Sequence, residues 1–123
     1  METGHHGEID IRAEPAILVG VQLRGDDTDD SDPLAELRAL AETAGVRAVG
    51  TLVQRRVAPR GKTYIGKGKV DELAAMCLEL GAKVVVFDNE LAPSQIAELE
   101  KALSVKVIDR SELILDIFAS RAG

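Results

Sequence analysis

The sequence predicts an α/β domain: a four-stranded, mainly parallel sheet with helices on both faces, ending in the start of a long C-terminal helix. One observation is that strand and helix patterns alternate four times with short connections, an order that produces parallel strands joined by right-handed crossovers. The other is that the predicted strands contain uninterrupted apolar runs, as expected for strands covered on both faces. A chain of 123 residues is long enough to bury one substantial core.

The first half of the chain is predicted to form two strands on either side of one helix. The first strand spans Ala16–Val21, and the Asp-rich stretch 24–32, RGDDTDDSD, follows it as a turn. Its aspartates suggest calcium binding, but the residue order of an EF-hand loop is missing, which favours a solvated loop. Asp32 as N-cap and Pro33 in the first turn are expected to begin the helix. The remaining features are an apolar face (Leu34, Leu37, Leu40, Ala41 and Ala44), a left-handed stop at Gly45, and the second strand Val46–Val53.

The second half is predicted to form two further strands, each followed by a helix, after a helix from about Gly68 to Leu80. The helix from about Gly68 is expected to end at Gly81. Five of its residues are expected to face inward: Val70, Leu73, Ala74, Cys77 and Leu80. A strand at Lys83–Asp88 precedes a helix that follows Pro93 and ends near Leu103, with Ile96 and Leu99 on its apolar stripe. After the short strand Val105–Ile108, Asp109 and Glu112 form a capping-box pattern. It opens a final helix with four apolar residues: Leu113, Ile114, Ile117 and Phe118.

One stretch differs in charge from the rest of the chain. Residues 1–42 carry eleven acidic residues against three arginines, residues 43–70 carry seven bases and no acid, and residues 71–123 carry ten acids against five bases. The net charge is −6, so the average alone would argue against a nucleic-acid partner. A local concentration of cations can still bind a polyanion. The stretch Gln54–Glu72 is predicted to be a mobile basic loop that binds a polyanion, and the alternative is a solvated surface loop without a ligand. We call its residues 55–69 the basic segment. Its candidate phosphate-contacting residues are Arg55, Arg56, Arg60, Lys62, Tyr64, Gly66, Lys67, Gly68 and Lys69.

The basic segment does not contain a working NTPase motif. Residues 61–67, GKTYIGK, match the first seven positions of the phosphate-loop pattern, but Gly68 stands where a Ser or Thr must ligate magnesium. The GxGxxG dinucleotide pattern fails because Asp71 stands at its last glycine. We therefore expect no GTP hydrolysis by this chain alone. A weaker anion site is still predicted at Gly66–Lys69, where lysines and helix N–H groups converge, and it would suit RNA phosphate as well as ATP.

Other candidate chemistry is weaker. Asp88 and Glu90 could act as acid and base, but they lack a matching nucleophile, so turn and cap roles explain them more simply. We expect Asp88, Asn89, Glu90 and the basic segment to share the edge formed by the carboxyl ends of the strands. His5 and His6 have no further ligands at suitable spacing, so no metal site is predicted. The single cysteine and the absence of apolar runs of membrane length favour the cytosol as the location, without a membrane partner.

Four segments closely resemble the N-terminal domain of the HflX family of ribosome-associated GTPases. They are VGTLVQRR, TYIGKGKVDEL, VVVFDNELAPSQIAELEKAL and KVIDRSELILDIFASRA, and the resemblance covers roughly residues 15–122. Ala92 departs from the pattern, since a helix-capping serine is expected there. Residues 1–14 lie outside the resemblance, and because they are polar and lack a periodic pattern we expect a flexible leader there. The resemblance implies that residues 15–109 are the α/β domain and 110–123 the start of a helical linker.

The resemblance implies a protein that binds the large ribosomal subunit and helps to dissociate stalled or stressed ribosomes. It also implies that a helical hairpin and a GTPase domain follow, so that GTP and Mg²⁺ would belong to that absent domain and not to this chain. The leading hypothesis is a non-catalytic module whose basic segment contacts ribosomal RNA. Two alternatives stay open: an ATP-binding domain that uses Gly66–Lys69 as a phosphate cradle, and an interaction domain that only positions the GTPase domain.

Overall fold

The computed structural model describes residues 13–23, 33–56 and 65–122, which form a four-stranded parallel sheet and four helices. In chain order the elements are β1 (Pro15–Leu23), α1 (Ala35–Ala44), β2 (Arg47–Arg56), α2 (Lys67–Leu80), β3 (Val84–Phe87), α3 (Pro93–Leu103), β4 (Lys106–Asp109) and α4 (Arg110–Ala122). The strand order is β2-β1-β3-β4, and every pairing is parallel. The predicted fold class is confirmed.

The two faces of the sheet carry separate cores. Ile17, Val19 and Val21 of β1 pack with α2 and α3 on one face, whereas Ala16 and Leu18 pack with α1 and α4 on the other. This division follows from the alternation of side chains along a strand. β3 is buried at all four positions, because both of its faces are covered.

Glycine stops end α1 and α2 as predicted. Gly45 has a φ of 81° and Gly81 a φ of 68°, both in the left-handed region that favours glycine. The start of α1 differs from prediction, since the helix begins at Ala35 after Leu34 as N-cap. Asp32, the predicted cap, lies outside the described residues.

Of the capping box predicted for α4, the bond to the Asp109 side chain is confirmed. The Glu112 N–H donates to Asp109 Oδ1 at 3.0 Å, and the Leu91 N–H donates to Asp109 Oδ2 at 3.0 Å. Asp109 is buried, so these two bonds satisfy a carboxylate that would otherwise be costly to desolvate. It thereby ties the end of β4 to the chain that enters α3.

Ala92 caps α3 without a side-chain acceptor. The chain compensates through Gln95, whose Oε1 accepts the Ala92 N–H at 2.9 Å. Proline at the first position of the helix removes one N–H that would need a partner. The helix therefore begins as predicted, with half of the usual reciprocal cap.

Two predictions of orientation and extent need correction. The helical period predicts that Leu80 points inward, and its side chain does approach Gly50, but it is 41% exposed because it ends α2 over the edge strand β2. The basic segment is not a loop throughout, since its first two residues belong to β2 and Lys67–Lys69 form the first turn of α2. The parallel ladder with β1 explains the extension of β2, because pairing continues to Arg56.

Candidate nucleic-acid interface

The first two strands extend past the rest of the sheet. β1 pairs with β3 only as far as Val19 and Phe87, whereas it pairs with β2 as far as Leu23 and Arg56. Four residues of β1, at about 3.3 Å each, project about 13 Å beyond the last β1–β3 pair. We call the paired stretches Gly20–Leu23 and Val53–Arg56 the β1–β2 ribbon. It carries the start of the basic segment at its tip.

A side chain from the β3–α3 connection supports the ribbon on the side away from β2. The Val21 N–H donates to Asn89 Oδ1 at 3.0 Å, and Asn89 Nδ2 donates to the Val21 carbonyl at 3.3 Å. The amide thus takes both backbone groups of Val21, as a residue of a neighbouring strand would. On this side of β1, the Asp88 N–H donates to the Val19 carbonyl at 2.7 Å. The Asn89 side chain then takes the next position of the ladder, at Val21.

A second amide side chain joins the ribbon to α2. Gln54 lies on β2, and its Oε1 accepts the N–H of Gly66, the N-cap of α2, at 3.2 Å. Ile65 is 2% exposed and belongs to the same core cluster as Leu52 and Val70. Together, this bond and this buried side chain place the first turn of α2 next to the ribbon.

The lysines of that first turn already have acidic neighbours. Lys67 Nζ lies 3.8 Å from Asp71 Oδ2, with both side chains mostly exposed. Lys69 Nζ lies 3.2 Å from Glu72 Oε1. Exposed pairs at this spacing are weak, about 0–1 kcal/mol, so a phosphate could replace either carboxylate. The predicted convergence of free ammonium groups is therefore only partly realised.

The structure brings together some of the predicted phosphate-contacting residues. Arg55 is an exposed residue at the end of β2, and the backbone of Arg56 follows it in the strand. Gly66 is the N-cap of α2, and the three residues from Lys67 to Lys69 form its first turn. Arg60, Lys62 and Tyr64 lie outside the described residues, so their part in the interface stays a prediction.

Gly68 leaves space at the start of α2. A Cβ built there would meet nothing within 4 Å. No side chain therefore projects at this position, and the N–H groups of the first turn have no partner within the helix. This geometry is compatible with an anion but specifies none.

The acidic residues of the β3–α3 connection serve the structure. Asp88 Oδ1 accepts from Arg110 Nη1 at 3.1 Å, and the other guanidinium nitrogen lies 3.1 Å from Glu36 Oε1 on α1. Burial lowers the pKa of Arg110, but its hydrogen bonds and charge interactions with Glu36 and Asp88 raise the pKa overall. Glu90 accepts a hydrogen bond from Ser111 at 3.0 Å. These contacts fasten the start of α4 to α1 and to the carboxyl edge of the sheet.

Asp88 to Glu90 and the end of β2 do share one edge of the sheet, as predicted, since β2 and β3 both run parallel to β1. Within residues 13–23, 33–56 and 65–122, no group of three or more His, Cys, Asp or Glu is arranged to hold a metal ion. In the same ranges, no helix has the length and apolar character needed to cross a membrane. The described residues of this edge include Arg55, the first-turn lysines of α2 and helix N–H groups, which are groups suited to a polyanion.

Sequence reasoning misses the two amides that organise this edge. Gln54 precedes the basic segment and Asn89 lies in a turn, and neither is a candidate site residue on its sequence pattern. The available signal is position: each is an amide side chain near the carboxyl end of a strand, where β1 loses its ladder partner β3 and where α2 begins with unpaired N–H groups. The position of Gln54 or Asn89 in the sequence does not predict which backbone group its amide binds.

Fold and edge define a class, namely a parallel α/β domain whose described residues place Arg55 and the first-turn lysines of α2 near the carboxyl edge of the sheet. The comparisons with known proteins are more specific. A family profile described as GTP-binding GTPase N-terminal matches residues 31–119. The chain belongs to this family, the N-terminal domain of the HflX GTPases.

Curated relatives agree with this assignment. GTPase HflX of Alkalihalophilus pseudofirmus is 47% identical over 109 residues, covering 89% of this chain and 26% of the relative. GTPase HflX of Escherichia coli is 42% identical over 109 residues, covering 89% and 25%. The chain thus spans about a quarter of the length of the curated relatives that it matches.

Solved structures share the fold. A mutation variant of SsGBP aligns with a TM-score of 0.64 at 22% identity, covering 89% of this chain and 33% of that chain. A GTP-binding protein from the hyperthermophilic archaeon Sulfolobus solfataricus, in complex with GDP, aligns with a TM-score of 0.59 at 20% identity, covering 86% and 30%. At these identities the likeness concerns the fold alone.

Proposed function

We propose that this chain is a non-catalytic module that binds the large ribosomal subunit through ribosomal RNA, in the cytoplasm. The observation that carries the proposal is the position of the basic segment. It begins at the tip of the β1–β2 ribbon, on a chain whose net charge is −6. Solubility alone gives no reason to gather cations at one edge of an acidic protein. A phosphate backbone is the partner for which such a cluster is suited.

Arginine at the strand end suits this partner in shape. Its planar guanidinium can hold two phosphate oxygens at once, and an exposed Arg55 needs no rearrangement of the core to do so. The lysines of α2 supply further point charges close by, and their exposed carboxylate partners can be exchanged for phosphate. Tyr64 is proposed to stack on an unpaired base.

We further propose that the chain acts as part of a longer HflX-type GTPase that splits or rescues stalled ribosomes. A helical hairpin and a GTPase domain would supply the rest of such a protein, and GTP and Mg²⁺ would bind in that GTPase domain. Family membership and the quarter-length coverage of HflX relatives support this proposal.

ATP binding at Gly66–Lys69 is the less favoured candidate. In open α/β sheets, ligands bind where the strand order reverses, which here is between β1 and β3. Asn89 bridges that point by bonding both backbone groups of Val21. The N-cap N–H of α2 is likewise taken by Gln54. Both observations reduce the space and the donors left for a nucleotide.

Sedimentation with purified ribosomal subunits tests the proposal. The chain should pellet with large subunits and much less with small subunits, and ATP should not compete. Pelleting that ATP abolishes at concentrations where inorganic phosphate has no effect would favour the nucleotide-binding alternative. Equal failure to pellet with either subunit would leave a domain-positioning role and refute RNA contact.

A further inference from the structure

We infer that Asn89 is a positioning residue for RNA binding: by replacing a strand partner of Val21, it holds the β1–β2 ribbon in the conformation that presents Arg55. This inference rests on the proposed function. It assigns a role in binding to an uncharged residue that lies outside the basic segment.

The first observation is the hydrogen bonding of β1 at Val21. Beyond Val19, β1 loses β3 as a backbone partner, because β3 ends at Phe87. An isolated two-stranded ribbon is only marginally stable in water. Asn89 fills the gap at Val21, where both bonds, of 3.0 Å and 3.3 Å, come from one side chain. The ribbon therefore has a third partner at its midpoint.

The second observation is the register between β1 and β2. Val21 is the Cα partner of Gln54, and the next pair is Gln22 with Arg55. Gln54 is also the residue that accepts the N–H of Gly66 at the start of α2. One line of contacts thus runs from Asn89 through Val21 and Gln54 to the N-cap of α2. Displacing Val21 would disturb the cations of the basic segment that the structure describes, Arg55 on one side and the α2 lysines on the other.

The support of Asn89 is itself fixed. Asp88, the preceding residue, donates its N–H to Val19 and accepts from Arg110, which ties the connection to the body of the sheet and to α4. A rigid support reduces the conformations that the ribbon must give up on binding. The apparent dissociation constant rises as the competent fraction of the ribbon falls, with no change in the phosphate contacts themselves.

Two variants of the same edge distinguish positioning from general stability. Asn89→Ala removes both bonds to Val21 without changing any charge. Ser111→Ala is the matched control, because it removes the hydrogen bond to Glu90 at the same edge and leaves β1 untouched. Both proteins would be titrated against large subunits over a range of salt concentrations, and amide exchange would be followed at Val21 and Arg55.

Asn89→Ala should weaken binding by roughly fivefold, the penalty expected if most of the ribbon population leaves the competent conformation. The salt slope should stay that of the parent, because every phosphate-binding cation is retained. Exchange should quicken at Val21 and Arg55, whereas Ser111→Ala should match the parent in all three measurements. If Asn89→Ala does not fold, Asn89→Ser keeps one short polar group and should show a smaller loss of affinity with the same unchanged slope.

The outcomes that would overturn the inference are distinct. If the parent binds and Asn89→Ala binds as tightly despite faster exchange at Val21, Asn89 has a structural role only and the inference is wrong. It is also wrong if Ser111→Ala loses as much affinity as Asn89→Ala. If the parent does not bind large subunits at all, the proposed function is wrong and the inference fails with it.

Discussion

Leu23 and Arg56, the last residues of β1 and β2, are Cα partners in the parallel ladder. The connection that follows Leu23 contains five aspartates within residues 24–32, and the connection that follows Arg56 contains the middle of the basic segment. Connections of opposite charge therefore leave the sheet from adjacent positions. Charges on proteins interact through the solvent over about 10 Å at moderate salt.

This adjacency predicts that the Asp-rich connection lowers the affinity for polyanions. Asp27→Asn with Asp29→Asn should tighten binding to RNA by roughly threefold to tenfold at low salt, and the gain should vanish at high salt because it is a screened, long-range effect. The control is Glu42→Gln with Glu79→Gln, which makes the same change in net charge at the amino edge of the sheet. Equal gains from both pairs would attribute the effect to net charge and contradict the local account.

Gly20 and Gly68 should respond oppositely to alanine. A Cβ at Gly20 would lie 2.5 Å from Cδ2 of Leu34, which is 2% exposed, so the core must shift. Gly20→Ala should lower the free energy of unfolding by about 1–3 kcal/mol. Gly68→Ala should raise it by about 0.5 kcal/mol, since the helical site has open space around it. Denaturant titration measures both, and a neutral Gly20→Ala would show that Leu34 can move aside.

Cys77 should be unreactive in the folded protein. Burial raises the pKa of the Cys77 thiol from its ordinary value of 9.0, so the reactive thiolate is scarce at neutral pH. The pKa of Cys77 is higher in the folded than in the unfolded protein, so burial of the neutral thiol contributes to stability. That contribution is fully present below pH 9.0 and is lost as pH rises through the folded pKa. Thiol labelling at neutral pH should follow the rate of unfolding. Rapid labelling under strongly native conditions would contradict the buried placement.

The end of α4 should open more easily than the sheet. Leu113 is fully buried, but Leu115 is 63% and Phe118 is 65% exposed, so little apolar contact holds the final turns. Amide exchange after about Asp116 should be fast compared with Val84–Phe87. Exchange as slow as in that strand would mean that the last turns are stable on their own, contrary to our expectation that these residues begin a helical linker.

The order of elements is predictable from the sequence because each rests on a local pattern. The apolar run at Ala16–Val21, the stops at Gly45 and Gly81, and the Asp109 cap all act within a few residues, and each appears where expected. Leu80 shows the limit of such patterns. By its spacing Leu80 belongs to the apolar face of α2, but how far it is buried depends on how α2 packs over Gly50.

The candidate site is predictable in composition but not in form. Charge counting finds the basic segment, whereas the extension of β2 to Arg56 depends on pairing with a strand more than 30 positions earlier in the sequence. The roles of Gln54 and Asn89 depend in the same way on contacts made in space. Asn89 bonds a residue 68 positions away. No local rule encodes such a partner.

The salt dependence of large-subunit binding tests the central claim most directly. Arg55→Ala with Arg56→Ala should weaken binding and reduce the log–log salt slope by up to about two units, one for each phosphate that is no longer neutralised. Arg47→Ala with Lys83→Ala is the control, since both residues are exposed at the amino edge of the same sheet. Thermal stability should change little in either pair, because exposed charges contribute only about 0–1 kcal/mol. The account predicts a weaker, flatter titration for the first pair and parental behaviour for the second. Parental affinity and slope for Arg55→Ala with Arg56→Ala would contradict it.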